Sequence, residues 1–449
     1  MSKKKTKKRN AGPPLPMIRL SQCIIVKNEE KNIEKALGWA KGVAFEQIVV
    51  DTGSTDRTVE IAEKMGARVY HFEWINDFAA AKNYAIEQAK GNWIAFLDAD
   101  EYFIPEDTRK MIAVLKQIHS DPQMREQFLA LNCPWVQLDD NGQPFGVDEQ
   151  TRLFRNTSSV RYVGRIHEKL SLKLEEVVKA ENFSIMHTGY ARTSYTETGK
   201  AERNVTMLRV EIADRPDDMD LKVYLADALR GKAREDGPEA GNVSEDEAEA
   251  LYAEAAAYDG PVDPMLNKKA HLYTVAKSVV SGKPVAECEM KCLRALRIFP
   301  GDIDFEYYHA KVLIMRGDYR AAWEVLQGCE ANLVKPSAIH KSTLVAMQPS
   351  LLFTEMVYAA QGIGDTAGSV KYATMVLVED KARVEMLGPL IATLIDHGSS
   401  DDDVIALLGK IYNMSDPGDV MLIARAAKDS GALDFARKIV GLAGKIMGG

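Results

Sequence analysis

Two hydrophobic patterns divide the chain of 449 residues. In its first part, short apolar runs rich in β-branched and aromatic residues alternate with segments of helical spacing that end in glycine. Continuous apolar runs between helices are typical of parallel strands covered on both faces, so the pattern predicts an α/β domain with a Rossmann-like, mostly parallel sheet. The predicted strands are 20–26, 47–51, 67–72 and 93–97, and the predicted helices lie within 31–42, 56–66 and 78–91.

The pattern changes at about residue 199, where helical segments follow one another without strands between them. One of these segments contains Gly317, Asp318 and Tyr319, followed by Ala322 and Leu326, which match the turn and second helix of a tetratricopeptide unit. We therefore expect an α/β domain at 17–198 and an all-α, tetratricopeptide-like solenoid at 199–449. The predicted helices are 199–213, 218–234, 245–258, 264–280, 284–298, 303–316 and 319–331, with several more after 349.

Charge and cysteine content narrow the class of protein. The net charge of −8 predicts no general affinity for nucleic acid or anionic lipid. Residues 1–16 are a basic run followed by prolines, which favours a disordered tail of unassigned role, and no apolar segment of a signal peptide follows. No apolar run approaches the length of a membrane span, so we expect a cytoplasmic protein without one. The five scattered cysteines, Cys23, Cys133, Cys288, Cys292 and Cys329, are interpreted as buried free thiols.

Carboxylates follow the apolar run 93–97 without a break. Asp98 and Asp100 are spaced so that two side chains at a strand end point to the same side, and Glu101 comes next. Acids this close repel one another unless a cation or a raised pKa relieves them. Oxygen ligands suit Mg²⁺ or Mn²⁺, which in turn neutralise phosphates. The cluster therefore indicates a metal and diphosphate site, and the alternative is a solvated acidic turn.

A second acid, Asp51, ends the strand 47–51 and precedes a turn rich in Gly, Ser and Thr. Its carboxylate could accept the imide N–H of a uracil, or it could only cap its own turn. Ligands of open α/β sheets bind beyond the carboxyl ends of the strands. We therefore expect residues 27–29, 51–54 and 98–101 along one edge of the sheet.

Six sequence blocks occur in order within residues 19–195. They are CIIVKNEEKNIEKAL, IVVDTGSTDRTVEIAEKMGARVY, FAAAKNYAIEQAKGNWIAFLDADEYF, TRLFRN, GRIHEKL and IMHTGY. Together they resemble family 2 glycosyltransferases of the GT-A fold, in particular the subgroup with lipopolysaccharide-core β-glucosyltransferases. Bacterial members with tetratricopeptide tails, including peptide S-glycosyltransferases, are similar in layout. The family transfers a sugar from a nucleotide sugar, usually a UDP-sugar, with inversion at the anomeric carbon.

The resemblance implies roles for individual residues. On the donor side it implies that the nucleoside lies against the first two strands and that a divalent ion, Mn²⁺ or Mg²⁺, joins the acidic turn to the diphosphate. It implies that Glu101 stabilises the turn instead of binding the metal. The implied nucleotide-sugar contacts are Val26, Asn28, Glu29, Asp51, Lys82 and Asp98, and the implied metal ligands are Asp98 and Asp100.

Inversion by direct displacement needs one general base near the acceptor. Glu168 is our candidate, since it lies where the family keeps an acidic pair, although this chain has His-Glu where relatives have Glu-Asp. Asp148 and Glu149 are alternative bases, and Glu168 could instead pair with a neighbouring Arg165 or Lys169.

Two basic positions have open interpretations. Arg155, with Arg152 on the same predicted strand, could clamp a diphosphate or could be a surface charge. His187 follows an apolar strand and could be a third metal ligand or a hydrogen-bonded core residue.

The sequence thus predicts an inverting, metal-dependent glycosyltransferase that uses a UDP-sugar of the glucose or N-acetylglucosamine type. A nucleotidyltransferase is disfavoured because VKNEEKN stands where its Gly-rich, basic loop would follow the first strand. The helical repeats are expected to bind a peptide, protein or saccharide acceptor, or to form a homodimer. The alternative is a non-catalytic helical-repeat scaffold with a decayed transferase domain.

Overall fold

The structure is a computed structural model that describes residues 17–188, 200–236, 243–334 and 343–447. The predicted tail at 1–16 lies outside the described residues. The chain forms two compact units, Met1–Ala248 and Glu249–Gly449. This division falls later than residue 199, where the sequence pattern places the end of the α/β domain, and that boundary stays a prediction.

The first unit contains a large mixed sheet. The first four strands agree with the predicted ones to within one residue at each end. The strands are β1 (Leu20–Val26), β2 (Glu46–Asp51), β3 (Arg68–His71), β4 (Trp93–Phe96), β5 (Glu101–Tyr102), β6 (Ala130–Leu138), β7 (Pro144–Arg155), β8 (Tyr162–Val163), β9 (Lys169–Leu170), β10 (Val177–Lys179) and β11 (Ile185–His187).

Within the described residues the sheet has the order β3-β2-β1-β4-β7-β6-β11-β5, with β10 paired to β6. Strands β3, β2, β1 and β4 are parallel, β7 runs antiparallel to both β4 and β6, and β11 is parallel to β6. β8 and β9 form a separate antiparallel pair. The sheet is therefore mostly parallel, and the carboxyl ends of β1, β2 and β4 meet at one edge.

Helices cover both faces of this sheet. Alternate residues of β1 show this, because Cys23 packs in a cluster with Ile86 while Ile24 packs in another with Ile33 and Leu37. All four aliphatic side chains are buried, which explains why these strands are continuously apolar. The helices of the first unit are α1 (Ile33–Gly38), α2 (Thr58–Lys64), α3 (Phe78–Glu87), α4 (Pro105–Ser120), α5 (Pro122–Gln127), α6 (Lys200–Asp214) and α7 (Met219–Asp236), with a 3₁₀ turn at Leu174–Glu176.

The second unit is helical throughout its described part. Its tetratricopeptide-like turn is present, because Gly317 ends a helix in the left-handed conformation at φ 89° and the next helix begins at Tyr319. Ala322 and Leu326 are fully buried where these helices pack. After α8 (Val243–Ala257), which spans the division, the helices are α9 (Pro264–Val280), α10 (Val285–Ile298), α11 (Ile303–Arg316), α12 (Tyr319–Val334), α13 (Leu344–Met347), α14 (Pro349–Ile363), α15 (Thr366–Glu379), α16 (Val384–Asp396), α17 (Asp401–Leu408), α18 (Pro417–Asp429) and α19 (Leu433–Met447).

The five cysteines are buried and free, as expected from the sequence. In the part of the chain that the structure describes, no helix has the length and apolar character needed to cross a membrane.

Candidate active site

The parallel register brings the predicted rim residues to one edge of the sheet. Val26 at the end of β1 pairs with Asp51 at the end of β2, and Cys23 pairs with Phe96 at the end of β4. A cavity of about 670 Å³ opens at this edge. Its wall includes Val26, Glu29, Thr52, Lys82, Asp98, Asp100, Arg152, Glu168, His187, Arg203, Asn204 and Tyr224.

The centre of the cavity is a network of buried charges. Lys82 of α3, whose side chain is 3% exposed, lies 3.2 Å from Asp98 Oδ1 and 2.7 Å from Glu168 Oε1. Arg152 lies 2.6 Å from Asp98 Oδ2 and 2.6 Å from Glu101 Oε1. Burial alone would lower the pKa of Lys82, but the carboxylates of Asp98 and Glu168 raise it above its ordinary value. Lys82 is therefore a permanent cation between two carboxylates.

The neighbouring acids respond to this network in opposite directions. Burial would raise the pKa of Asp98, but Arg152 and Lys82 hold it well below its ordinary range. Burial raises the pKa of Glu101, against the attraction of Arg152. Glu101 is enclosed, because Trp135 Nε1–H donates to its Oε1 at 2.9 Å and the backbone N–H of Asp98 donates to its Oε2 at 3.0 Å. Glu101 thus fastens the acidic turn from within.

Asp100 belongs to a different group. Its Oδ2 lies 3.3 Å from His187 Nε2, and His187 Nδ1 lies 2.6 Å from Gln137 Oε1. The register of β11 with β6 places His187 opposite Gln137, and the imidazole packs against the Trp135 ring at 4.2 Å between centroids. His187 is thus both a hydrogen-bonded core residue and a neighbour of the acidic turn.

The Asp100–His187 pair could contribute two ligands to a divalent ion. If Nδ1–H of a neutral imidazole donates to Gln137, the lone pair of Nε2 faces a carboxylate oxygen and a cation could join the two; if the imidazole is protonated, the two groups form an ion pair without a metal. Among the described residues, no group of three or more His, Cys, Asp and Glu side chains surrounds a common point. Asp98 does not join the pair, because Lys82 and Arg152 engage both of its oxygens. The three predicted ligands therefore do not converge, and the pair leaves most of a metal's coordination to substrate and water.

On the side of the cavity where the nucleoside was predicted, the loops after β1 and β2 hydrogen-bond to each other. Asn28 adopts φ 57° and its Oδ1 accepts from the backbone N–H of Thr55 at 2.8 Å, while Ser54 Oγ accepts from Asn28 N–H at 2.9 Å. The backbone N–H of Glu29 donates to Thr58 Oγ1 at 2.7 Å. Asn28 thus shapes the loop that brings Val26 and Glu29 to the cavity wall.

Asp51 caps its own turn. Its Oδ1 accepts from Ser54 N–H at 3.0 Å, and its Oδ2 accepts from Gly53 N–H at 3.2 Å. Gly53 has φ 105°, a conformation that favours glycine. The turn-capping interpretation of Asp51 is therefore realised, and a contact with a base stays a prediction.

Glu168 lies in the loop between β8 and β9, with its side chain 14% exposed and paired to Lys82. Of the two local partners considered from the sequence, Arg165 instead lies 3.8 Å from both Asp77 and Asp214. The residue before Glu168, His167, has φ 53° and stacks on Tyr224 of α7 at 3.8 Å between centroids.

Three predicted candidates lie away from the cavity. Arg155 pairs with Trp93, the first residue of β4, and its guanidinium lies 5.5 Å from the Trp93 ring centre, so the prediction that it contacts the diphosphate is not supported. Because β7 runs antiparallel to β4, Arg152 is the arginine that reaches the acidic end. Glu149 is half-exposed and pairs with Lys179, and Asp148 lies opposite Trp135 on β7 without lining the cavity.

The sequence analysis did not identify several other residues of the candidate site. Gln137 and Trp135 come from β6, which the pattern did not predict, and α6 and α7 supply Arg203, Asn204 and Tyr224. Nothing in the local sequence of α6 or α7 signals a role at the edge of the sheet, because their amphipathic spacing is that of a packing helix.

Residues 21–121 match the family model described as glycosyl transferase family 2. A TPR repeat-containing protein of Synechococcus elongatus is 34% identical over 232 residues, which are 49% of this chain and 54% of the relative. The glycosyltransferase SunS of Bacillus subtilis is 31% identical over 202 residues, which are 42% of this chain and 44% of the relative. The matches thus span about half the length of these curated relatives.

Likeness to solved structures is weak. Residues 1–349 of TarS from S. aureus give a TM-score of 0.31 at 14% identity, covering 67% of this chain and 91% of that one. Glucosyl-3-phosphoglycerate synthase from Mycobacterium tuberculosis, in complex with Mn²⁺, UDP and glucosyl-3-phosphoglycerate, gives 0.22 at 20% identity, covering 28% and 45%.

The matched segment 21–121 contains β1 to β4, the acidic turn and Lys82, and it is followed by the strands that complete the edge. The first unit of this chain therefore contains a segment that matches the glycosyl transferase family 2 model, and a helical region follows it along the chain.

Proposed function

We propose that the protein is an inverting glycosyltransferase that moves a sugar, of the glucose or N-acetylglucosamine type, from a UDP-sugar to a peptide, protein or saccharide acceptor. The observation that carries the proposal is the cavity at the carboxyl edge, where the Lys82–Asp98–Arg152 network and the Asp100–His187 pair lie together. The family model and the relatives named as glycosyltransferases support sugar transfer as its chemistry.

The donor would lie across the ends of β1, β2 and β4. Val26, Glu29 and Thr52 line the cavity beside the strand ends, and Asp51 is the candidate for the base contact. Lys82 and Arg152 would face the diphosphate, since both are buried cations at the edge where substrate charge would enter.

Asp100 and His187 would hold the divalent ion, Mn²⁺ or Mg²⁺. The ion supplies neutralisation of the leaving nucleoside diphosphate when it is bound. Gln137 orients the imidazole so that Nε2 faces Asp100, and Trp135 restricts the ring on its flat side. Asp98 would act through Lys82 and Arg152, whose positions it fixes.

Glu168 would take the proton of the acceptor group. Among the three acids considered from the sequence it is the one in the cavity wall, and Lys82 orients its carboxylate. Direct displacement with one base gives inversion and needs no covalent intermediate. The acceptor itself could extend to the helical repeats, whose alternative role is homodimer formation.

The test is release of UDP. The full chain is incubated with UDP-glucose or UDP-N-acetylglucosamine and Mn²⁺ or Mg²⁺, and free UDP is measured beside calorimetric binding of UDP. We expect UDP release that falls at least about 100-fold in Glu168→Gln, a loss typical of removing a general base. Glu149→Gln is the matched control, because Glu149 is a paired carboxylate outside the cavity and its loss should leave the rate unchanged.

If neither nucleotide sugar is hydrolysed and UDP does not bind, the non-catalytic scaffold is the correct interpretation. If UDP is released and Glu168→Gln keeps the full rate, the protein is a transferase with a different base.

A further inference from the structure

The loop that carries Glu168 is fastened by the first two helices of the helical region. Glu211 of α6 accepts from the backbone N–H of Arg165 at 2.7 Å, and its side chain is 8% exposed. Tyr224 of α7 stacks on His167 with the rings 10° from parallel. α6 and α7 therefore hold a fixed position relative to Glu168, within the first compact unit.

The same two helices form part of the cavity wall through Arg203, Asn204 and Tyr224. Arg203 lies over the Phe78 ring, with its guanidinium carbon 5.3 Å from the ring centre. This contact directs a long side chain along the wall at little further cost in side-chain entropy. The wall beside Glu168 therefore presents a guanidinium and an aromatic ring.

Arg203 has no carboxylate partner among the residues that the structure describes. Partial burial lowers its pKa, and no carboxylate among the described residues acts against that shift. By contrast, the pKa values of Lys82 and Arg152 are raised by the acids that they contact. Lys27 also lines the cavity, but it follows β1 directly and belongs to the nucleoside side.

Next to Arg203, the Asn204 side chain has an unmet hydrogen-bonding capacity. Its Oδ1 is buried and has no hydrogen-bond partner within the described part of the chain. A buried amide oxygen without a partner costs stability unless a ligand or water supplies a donor. A desolvated guanidinium suits a ligand oxyanion. The unsatisfied amide oxygen beside it suits a hydrogen-bond donor on a neighbouring group of the same ligand.

We propose that Arg203 and Asn204 form an acceptor subsite, in which Arg203 binds an anionic group, a carboxylate or a phosphate, of the molecule that receives the sugar and Asn204 Oδ1 accepts from a hydrogen-bond donor of the same molecule. This inference rests on the proposed function, because Glu168 as the base is what identifies this wall as the acceptor side. Tyr224 borders the subsite and fixes its position relative to Glu168.

The experiment follows the reactivity of Arg203 in the full chain. Phenylglyoxal, which modifies accessible arginines, is applied with and without inorganic phosphate at matched ionic strength, and each modified arginine is quantified by peptide mass spectrometry. UDP with Mg²⁺ is present in one arm so that the donor side is filled, and acetate replaces phosphate in another.

When the anion concentration is about four times its dissociation constant, we expect phosphate or acetate to slow the modification of Arg203 about fivefold. The same slowing is expected with and without UDP. Arg57, an exposed residue that precedes α2 and pairs with Glu60, is the internal reference and should not be protected. Absence of protection by both anions would overturn the subsite. Full protection by UDP alone would also overturn it, since Arg203 would then contact the donor.

A second measurement uses variants. Phosphate, with UDP present and ionic strength matched by chloride, should raise the thermal midpoint of the wild type and of Arg209→Gln by the same amount, and the rise should be lost in Arg203→Gln. Arg209 is the matched control, because it lies on the same helix but pairs with Glu247 outside the cavity wall. An equal rise in all three proteins would show general salt stabilisation and contradict the proposal.

The outcomes separate this inference from the proposed function. Anion protection of Arg203 in a protein that neither releases nor binds UDP would retain an anion site and reject the transferase. UDP release without protection would retain the transferase and reject the subsite.

Discussion

Lys82→Met removes a buried cation and leaves its two carboxylates in place. The methionine stem occupies a similar volume between Phe96 and Tyr162, whose ring centres lie 5.2 Å and 5.1 Å from the ammonium. The variant therefore changes the charge of the site with little change in packing.

The magnitude follows from the contacts that are lost. Breaking a buried ion pair by removing one partner costs about 3–5 kcal/mol, because the other charge stays buried and unpaired. Arg152 still neutralises Asp98 at 2.6 Å, so the uncompensated group is Glu168, whose side chain is 14% exposed. We expect the lower part of the range, a loss of about 3 kcal/mol in the free energy of unfolding of the first unit.

The matched control is Lys179→Met. Lys179 lies 2.8 Å from Glu149, but the two side chains are 65% and 50% exposed, so its loss should leave the free energy of unfolding nearly unchanged. Denaturant unfolding followed by tryptophan fluorescence reports mainly the first unit, which holds Trp39, Trp74, Trp93 and Trp135, while Trp323 lies in the second. Adding Glu168→Gln to Lys82→Met should recover part of the loss, because the unpaired carboxylate is removed. Equal unfolding free energies for Lys82→Met and Lys179→Met, or no recovery in the double variant, would show that Lys82 does not compensate the buried carboxylate of Glu168.

Three further predictions concern other parts of the chain. Tyr224→Ala should speed amide hydrogen exchange of residues 164–170 by about 2- to 12-fold, because this range corresponds to the free energy of a lost aromatic stack. Tyr224→Phe keeps the ring and should match the wild type. Unchanged exchange in Tyr224→Ala would show that α7 does not hold this loop in place. In the second unit, burial and then Arg294 lower the pKa of His271 to about 4, so the folded state resists its protonation. Stability should therefore be full above pH ~6.5 and fall toward pH ~4, by about 2 kcal/mol at pH 5, and His271→Gln should lose this dependence in thermal unfolding of the second unit. Gly91→Ala would bring a Cβ to 2.5 Å from the backbone oxygen of Arg19, so we expect the free energy of unfolding to fall by more than about 1 kcal/mol. A smaller measured loss would contradict this and show that the backbone relaxes at this position.

The parallel half of the sheet could be predicted because burial on both faces leaves a simple pattern. β1 was predicted with its observed bounds, and the helices α9 and α11 of the second unit were as well. β6 was not predicted, and of β7 only the end that carries Arg152 and Arg155 was interpreted as a strand. β6 contains Pro134 and alternates buried with half-buried residues, and β7 is polar over most of its length, so neither has a continuous apolar run.

The sequence predicted the acidic residues of the candidate site better than it predicted the residues that contact them. Lys82, Asp98, Glu168, Asp100 and His187 do share one cavity. Arg155 was misplaced because alternation along a strand gives the face of a residue but not its distance from the sheet edge. That distance depends on the antiparallel pairing of β7 with β4, which sequence spacing does not contain.

Residues from α6 and α7 could not be assigned because their role depends on where two helices dock. Glu211 has the sequence environment of an exposed helix acid, yet it is buried and accepts from a loop far away in sequence. The predicted boundary at residue 199 separates these helices from the loop that they fasten. Deletion of the helical region from residue 199 would therefore remove part of the candidate site together with the repeats.

The proposed function requires that the edge of the sheet bind a nucleoside diphosphate with a divalent ion beside Asp100 and His187. A crystal of the full chain soaked with UDP and Mn²⁺, with data collected at the manganese absorption edge, tests this binding. We expect an anomalous peak in contact with Asp100 and His187 and UDP density along the ends of β1 and β2. An anomalous map without a peak at this pair, in a crystal where UDP is bound, would contradict this expectation.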